Sequence, residues 1–334
     1  MNGHEASFYE KTDDGTGTVG CRLCPHNCII RKGKHGICGV RKNCDGTLIT
    51  EIYGLHTAVT MDPIEKKPLY HFHPGSSILS IGTRGCNMKC PYCQNWNISQ
   101  DTSAHASRYS SIDIINHALR EGSIGIAYTY SEPVIWYEYV LDTAVLAREK
   151  QLVNVMVTNG FINREPLERL LPYIDAMNID LKSFREETYR TVQKARLAEV
   201  LETITFAHSH GCHVELTTLV IPGINDSMEE MRDIIGFISS LDKRIPWHIS
   251  RYYPNYRYGR PATDVKYLTQ LHAEAMERLD FVYCGNVPSE AGGHDTICPS
   301  CHRTVIRRMG YATRIEKLKG SACASCGHEL NIVR

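Results

Sequence analysis

Between residues 77 and 285 the chain alternates two hydrophobic rhythms. Short runs rich in β-branched residues have the length and composition of buried strands: "SILSIGT" (77–83), "IGIAYTY" (124–130), "LVNVMVT" (152–158), "AMNIDL" (176–181), "HVELTTLVI" (213–221), "WHISRYY" (247–253) and "FVYCG" (281–285). Between them, apolar residues recur three and four positions apart over 133–150, 165–174, 186–193, 197–210, 227–241 and 269–279, the spacing of helices. Strands separated by helices imply right-handed crossovers and a parallel sheet. About six such units are too few for an eight-unit barrel, which leaves a partial (β/α) barrel or an open doubly wound sheet. Both place functional groups at the carboxyl ends of the strands.

The flanks follow neither rhythm. Residues 21 to 75 hold a cysteine cluster, a turn at "DGTLI" leading into the alternating "TLITEIYG", and a proline-bounded approach, "MDPIEKKPLYHFHPGS". The expected organisation is a flexible terminus over 1–20, a four-cysteine lead-in over 21–75, a core domain over 76–290, and a ribbon of two CxxC knuckles over 291–334.

Lys+Arg and Asp+Glu both number 37, so no global field draws the protein to nucleic acid or to an anionic membrane. The polar, acidic amino-terminal stretch lacks the layout of a secretory signal, and no apolar run approaches the ~20 residues of a membrane span. The expectation is a cytoplasmic protein with no membrane partner. In a reducing compartment the 14 cysteines are more useful as metal ligands than as disulfides. Eleven of them fall into three clusters: Cys21, Cys24, Cys28 and Cys38; Cys86, Cys90 and Cys93; and Cys298, Cys301, Cys323 and Cys326.

The middle cluster, in "RGCNMKCPYCQNW", follows the first core strand and therefore sits at the ligand-binding end of the sheet. Three thiolates can bind three irons of a [4Fe-4S] cube and leave the fourth open. A zinc knuckle completed by a remote ligand is the alternative. Gly85 lets the backbone wrap closely there. C-x3-C-x2-C with Tyr92 before the last cysteine resembles the radical S-adenosylmethionine (SAM) signature. The resemblance implies a partial (β/α)6 TIM-like barrel, an open iron chelated by SAM, and reductive cleavage to methionine and a 5′-deoxyadenosyl radical. It also implies a one-electron reductant of flavodoxin or ferredoxin type.

"VTNG" (157–160), "NIDLK" (178–182) and "LVIPGIND" (219–226) are similar to segments of the glycyl-radical-enzyme activases, the pyruvate formate-lyase activating group. By that resemblance Tyr92, Asn159, Asp180 and Lys182 face SAM, and Glu132 in "YTYSEP" stands where the family carries Gly-Gly-Glu. Here Tyr130 and Ser131 replace both glycines, Val157 replaces an aspartate tied to a cation site, and Thr217 replaces a basic SAM contact. Among His248, Arg251, Tyr252, Tyr253 and Arg257, one member is expected to supply the missing basic contact, with His248 the candidate. Over residues from about 21 onward, "CRLCPHNCIIRKGKHGICGVR", "DPIEKKPLYHFHPGS" and "GTRGCNMKCPYCQNWNISQ" resemble the radical SAM component of the AmmeMemoRadiSam system, which implies association with the other families of that system.

The two four-cysteine sets have closed-site chemistry. Cys298, Cys301, Cys323 and Cys326 have zinc-ribbon spacing, and a structural Zn²⁺ is expected, against an auxiliary cluster or a nucleic-acid-binding ribbon carrying Arg303, Arg307, Arg308 and Arg314. Cys21, Cys24, Cys28 and Cys38 accept Zn²⁺ or an auxiliary iron-sulfur cluster equally, with His26 or His35 available to replace one thiolate. Cys212 and Cys284 are expected to be small buried thiols. Three functions follow: an activase-like radical SAM enzyme acting on a partner-protein glycine, radical modification of another substrate, or a non-catalytic metal-binding adaptor.

Overall fold

In the computed structural model, which describes residues 3–12, 15–288 and 291–334, the apolar runs form one eight-stranded sheet. Its strands are β1 (Ala58–Pro63), β2 (Ser77–Gly82), β3 (Gly125–Tyr128), β4 (Val153–Thr158), β5 (Ala176–Asp180), β6 (His213–Val220), β7 (Trp247–Arg251) and β8 (Val282–Gly285). They lie in the order β8-β7-β6-β5-β4-β3-β2-β1; β2 to β8 are mutually parallel, and β1 runs antiparallel to β2. No ladder joins β8 to β1 among the described residues, so this is a partial barrel. Strands buried on both faces, such as β3, need helices on one side and a filled interior on the other.

The helices of seven or more residues are α1 (Ser111–Arg120), α2 (Tyr137–Glu149), α3 (Arg164–Leu170), α4 (Leu197–Ser209), α5 (Met228–Asp242) and α6 (Val265–Ala275), one such helix for each crossover from β2 to β8. The helix expected over 186–193 is a short α turn, Glu186–Thr188, continued by a π turn, Tyr189–Gln193. α1 lies outside the predicted set. Its start is a capping box in which Ser110 and Asp113 bond each other's backbone amides, and it buries Ile114, Ile115 and Ala118. α6 begins four residues before the predicted stretch, because the Asp264 side chain caps it from Lys266 N.

The proline-bounded approach enters the barrel. Glu215, in β6 and fully buried, accepts from Tyr70 N (2.9 Å), His71 N (2.7 Å), His248 Nε2 (2.7 Å) and His213 Nε2 (3.1 Å). Asn178 Nδ2 donates to Pro68 O at 2.8 Å, and Thr217 Oγ1 donates to Asn178 Oδ1 at 2.9 Å. The inner face of β5 to β7 is therefore polar and holds the backbone of residues 68–71 by hydrogen bonds, which removes the cost of burying either.

Residues 3–12, expected to be flexible, are held instead. His4–Glu5 pairs with Ile49 and Thr50, Tyr9–Lys11 pairs with Val19–Cys21, and Ser7 N donates to Glu138 Oε1 at 2.7 Å. The same carboxylate oxygen receives the buried Arg41 guanidinium at 2.7 Å, so one acidic group on α2 anchors both terminus and lead-in. That expectation for residues 1, 2, 13 and 14, and the boundary placed between 290 and 291, lie outside the described residues.

Candidate active site

The strand ends and the approach enclose a cavity of about 810 Å³. Cys86, Cys90 and Cys93 line it together with Tyr92, Glu132, Asn159, Asp180, Lys182 and His248, so the predicted core residues converge on one chamber. Of the polar-aromatic group around β7, only His248 is on its wall. Arg251 turns away to Thr263 O (2.8 Å) and Tyr253, and Arg257 lies over the Tyr256 ring. Of the five, His248, the expected candidate, is the one the cavity wall includes.

The cysteine loop is fixed from two sides. Asn87 Nδ2 donates to Phe161 O (2.8 Å), and Asn159 Nδ2 donates to Asn87 Oδ1 (2.9 Å) and lies 3.7 Å from Cys86 Sγ. Behind the loop, a Cβ at Gly85 (φ +94°) would meet Val40 at 2.8 Å and Cys38 O at 3.1 Å. The glycine is thus required by the lead-in packed against it as well as by its backbone angle. Burial pushes the Cys90 thiol up to about 11, with Lys182 opposing; a bound metal reverses such a shift because it needs the thiolate.

Glu132 is more constrained than a free ligand. Its Oε1 accepts from Val134 N (3.0 Å) and Thr158 Oγ1 (2.7 Å), and its Oε2 from Asn159 N (2.8 Å). Burial nevertheless raises its pKa to about 7. Burial disfavours the Lys182 ammonium, but Asp180 at 2.7 Å together with Cys90 and Tyr92 outweighs this and raises its pKa well above the ordinary lysine value. Tyr130, standing where the family resemblance expects glycine, takes the left-handed conformation (φ +68°). Its hydroxyl donates to Asp62 at 2.5 Å and Lys67 Nζ lies 4.6 Å from its ring centroid, contacts that hold it in that conformation.

Sequence reading missed much of the chamber wall. Asp62 binds Lys66 (2.8 Å) and the buried Lys67 (2.7 Å), and Lys66, Lys67, Glu65 and Tyr70 line the cavity beside His294 and Tyr311 from the carboxyl-terminal ribbon. The dense charge of "DPIEKKP" was the available signal. Nothing local marks His294 or Tyr311.

The ribbon cysteines meet. The sulfurs of Cys298, Cys301, Cys323 and Cys326 all lie within 4.8 Å of one another, with Cys298 to Cys326 at 3.6 Å and Cys301 to Cys323 at 3.7 Å. Zn–S bonds of ~2.3 Å at tetrahedral angles place sulfurs about 3.8 Å apart, so this donor set fits one such ion. Of the four ribbon arginines, Arg303 and Arg314 are exposed and the other two are engaged within the fold. Arg308 is buried, donating to Tyr70 O (2.7 Å) and Thr296 Oγ1 (2.8 Å), and Arg307 pairs with Glu316 at 2.9 Å. His26 Nε2 bonds Asn87 O (2.7 Å) and His35 Nε2 bonds Glu51 (2.8 Å), which leaves Nδ1 as the remaining ring nitrogen of each. Cys212 and Cys284 are buried thiols, Cys284 on the cavity wall.

A partial parallel barrel with a cysteine loop on its chamber defines a class, and comparison agrees. The family description "Radical SAM superfamily" matches residues 80–237. The uncharacterized protein MJ0808 of Methanocaldococcus jannaschii is 41% identical over 336 residues, covering 98% of this chain and 99% of that protein. The pyruvate formate-lyase-activating enzyme of Streptococcus mutans is 22% identical over 172 residues, 47% of this chain and 64% of that enzyme. Among solved structures, SuiB of Streptococcus suis bound to S-adenosylmethionine shares the fold with a TM-score of 0.50 at 14% identity, over 63% of this chain and 52% of that one. The chain belongs to the radical SAM superfamily, a membership that implies a [4Fe-4S] cluster and SAM. No helix among the described residues is long and apolar enough to cross a membrane.

Proposed function

We propose that Cys86, Cys90 and Cys93 hold a [4Fe-4S] cluster by three of its irons and leave the fourth to SAM. The observation that carries this is the donor set itself: three cysteines of one loop on a wide cavity, faced by Lys182 and His248. When bound, the cluster and SAM supply an electron and a sulfonium whose reductive cleavage yields methionine and a 5′-deoxyadenosyl radical, which takes hydrogen from substrate. The chain's own residues orient and enclose. Lys182, paired with Asp180, and His248, oriented by Glu215, are the groups suited to the SAM carboxylate in place of the basic residue that Thr217 replaces. The approach residues 65–70 close the barrel interior and keep solvent from the radical's path.

The substrate is a glycine of a partner protein, a reading supported by similarity to an activating enzyme over about half the chain. A smaller substrate is the second reading, favoured by the ribbon turn at Gly310 and Tyr311, which adds to the lining of the chamber. The ribbon site carries one structural Zn²⁺. Anaerobic reconstitution with reductant and SAM is expected to release 5′-deoxyadenosine from the protein and not from a Cys90→Ala variant. No 5′-deoxyadenosine from either would leave only the adaptor reading. Glycyl-radical EPR on candidate partners then separates the two substrate readings.

A further inference from the structure

Cys21, Cys24, Cys28 and Cys38 form a donor set that takes no part in SAM cleavage. Three of them are buried and Cys28 is half-buried. Cys21 N donates to Cys28 O at 2.9 Å, and Gly36, whose Cβ would lie 3.6 Å from Cys28 Sγ, leaves room beside that sulfur.

Spacing separates the cysteine sets into two kinds. Among the described residues only the ribbon cysteines gather their sulfurs within 4.8 Å, as a single ion demands. A cube binds each cysteine through a different iron and so holds its ligands farther apart. The lead-in set falls with the Cys86 loop, on the wider side of that line.

Position adds a second argument. His26, between Cys24 and Cys28, bonds the backbone oxygen of Asn87, between Cys86 and Cys90, at 2.7 Å. Cys38 O lies 3.1 Å from where a Cβ on Gly85 would stand. The two cysteine loops are therefore in direct contact.

The outer surface of the lead-in supplies a third. Between Cys28 and Cys38 the chain exposes Ile29 (64%) and Ile37 (46%) among exposed Arg31, Lys32, Lys34 and His35. Lys32 pairs with Asp45 and His35 with Glu51, whereas Arg31 and Lys34 form no ion pair among the described residues. In a chain of zero net charge this is a local cationic, partly apolar patch directly over the cysteine set, complementary to an acidic protein.

We propose that Cys21, Cys24, Cys28 and Cys38 hold a second iron-sulfur cluster, and that an acidic one-electron carrier protein docks over it on Arg31, Lys34, Ile29 and Ile37 to deliver the electron the proposed SAM cleavage consumes. The carrier is oxidised by one electron and the cluster pair is reduced by one; no bond forms or breaks and no proton moves. The role as a delivery point rests on the radical SAM reading, but the metal's identity does not.

Anaerobically purified full-length protein tests both parts. Iron, sulfide and zinc are counted in wild type, in a Cys24→Ser/Cys28→Ser variant and in Cys90→Ala. The lead-in variant is expected to lose half of the iron and none of the zinc, while keeping the EPR signal that changes on adding SAM. Cys90→Ala is expected to lose the other half. Wild-type protein with one cluster's iron and two zincs, or a lead-in variant that loses zinc and no iron, overturns the proposal. A Cys90→Ala variant that loses no iron, beside wild type giving no 5′-deoxyadenosine, would instead defeat the radical reading and leave the lead-in result standing. For docking, Arg31→Glu/Lys34→Glu keeps all metal and is expected to slow reduction by a ferredoxin at least tenfold, with reduction by dithionite unchanged. An unchanged ferredoxin rate overturns the docking surface.

Discussion

The ribbon at the carboxyl end and the loop after β2 both gather cysteines, yet they depend on the rest of the chain in opposite ways. The ribbon's four sulfurs come from two CxxC knuckles and meet through short hairpins, Thr304–Met309 with Ala312–Ile315 and Leu318–Lys319 with Ala322–Cys323. The loop brings only three, and what faces them arrives from β4, β5, β7 and the approach to β2. A closed site needs little beyond its own knuckles, whereas an open one has a use only if distant residues build the chamber that it opens into.

The strongest break of this contrast is Cys90→Ala, for which SAM cleavage is expected to fall to background with ribbon zinc intact; lost zinc would mean that the sites are not separable. Next, Cys323→Ser is expected to release zinc and to cost more than about 4 kcal/mol in thermal or denaturant unfolding, the scale of losing a structural metal. Iron at the loop should survive it. Glu215→Gln comes third. It removes the carboxylate that serves two backbone amides and two histidines, and about 3 kcal/mol of stability should go with it. A variant as stable as wild type would show that the approach is held by packing alone.

The smallest effect is acid sensitivity at the join between barrel and ribbon. His71 bonds Leu330 O and the Tyr283 hydroxyl, and burial lowers its pKa to about 3. The unfolded chain therefore binds a proton between about pH 6.5 and 3 that the folded chain refuses, so stability falls as pH falls through that window. This group alone is worth about 2 kcal/mol between pH 6.5 and 5, read as a urea-midpoint shift that His71→Gln abolishes. An equal shift in the variant would assign the acid response elsewhere.

The parallel strands were legible because burial on both faces leaves continuous β-branched runs, and the cysteine spacings because knuckles are local. α1 is short, and its Ser110 and Asp113 signal follows directly on Ser107–Arg108, a two-residue strand outside the main sheet that is too brief to mark a crossover. β1 ends in Pro63 and pairs at an edge, where proline is tolerated, so its composition carried little strand signal. Residues 4–11 look like a polar tail until Glu138, 131 positions from Ser7, supplies the partner that fixes them. Arg308 reads as one of several ribbon cations; only the fold shows it buried against Tyr70.

By itself the sequence determined the βα series, the three-thiol loop at a strand's carboxyl end and the four-thiol ribbon, since each rests on spacing within a few residues. Tertiary structure decided which nitrogen-bearing side chains reach the chamber: His248 rather than Arg251 or Arg257, and Lys67 from a segment with no barrel signature. It also set the lead-in cysteines against the Cys86 loop through His26 and Gly85. Such choices depend on which way a side chain turns once a strand is in register and on which loop fills the barrel, and neither is encoded in any short run of residues.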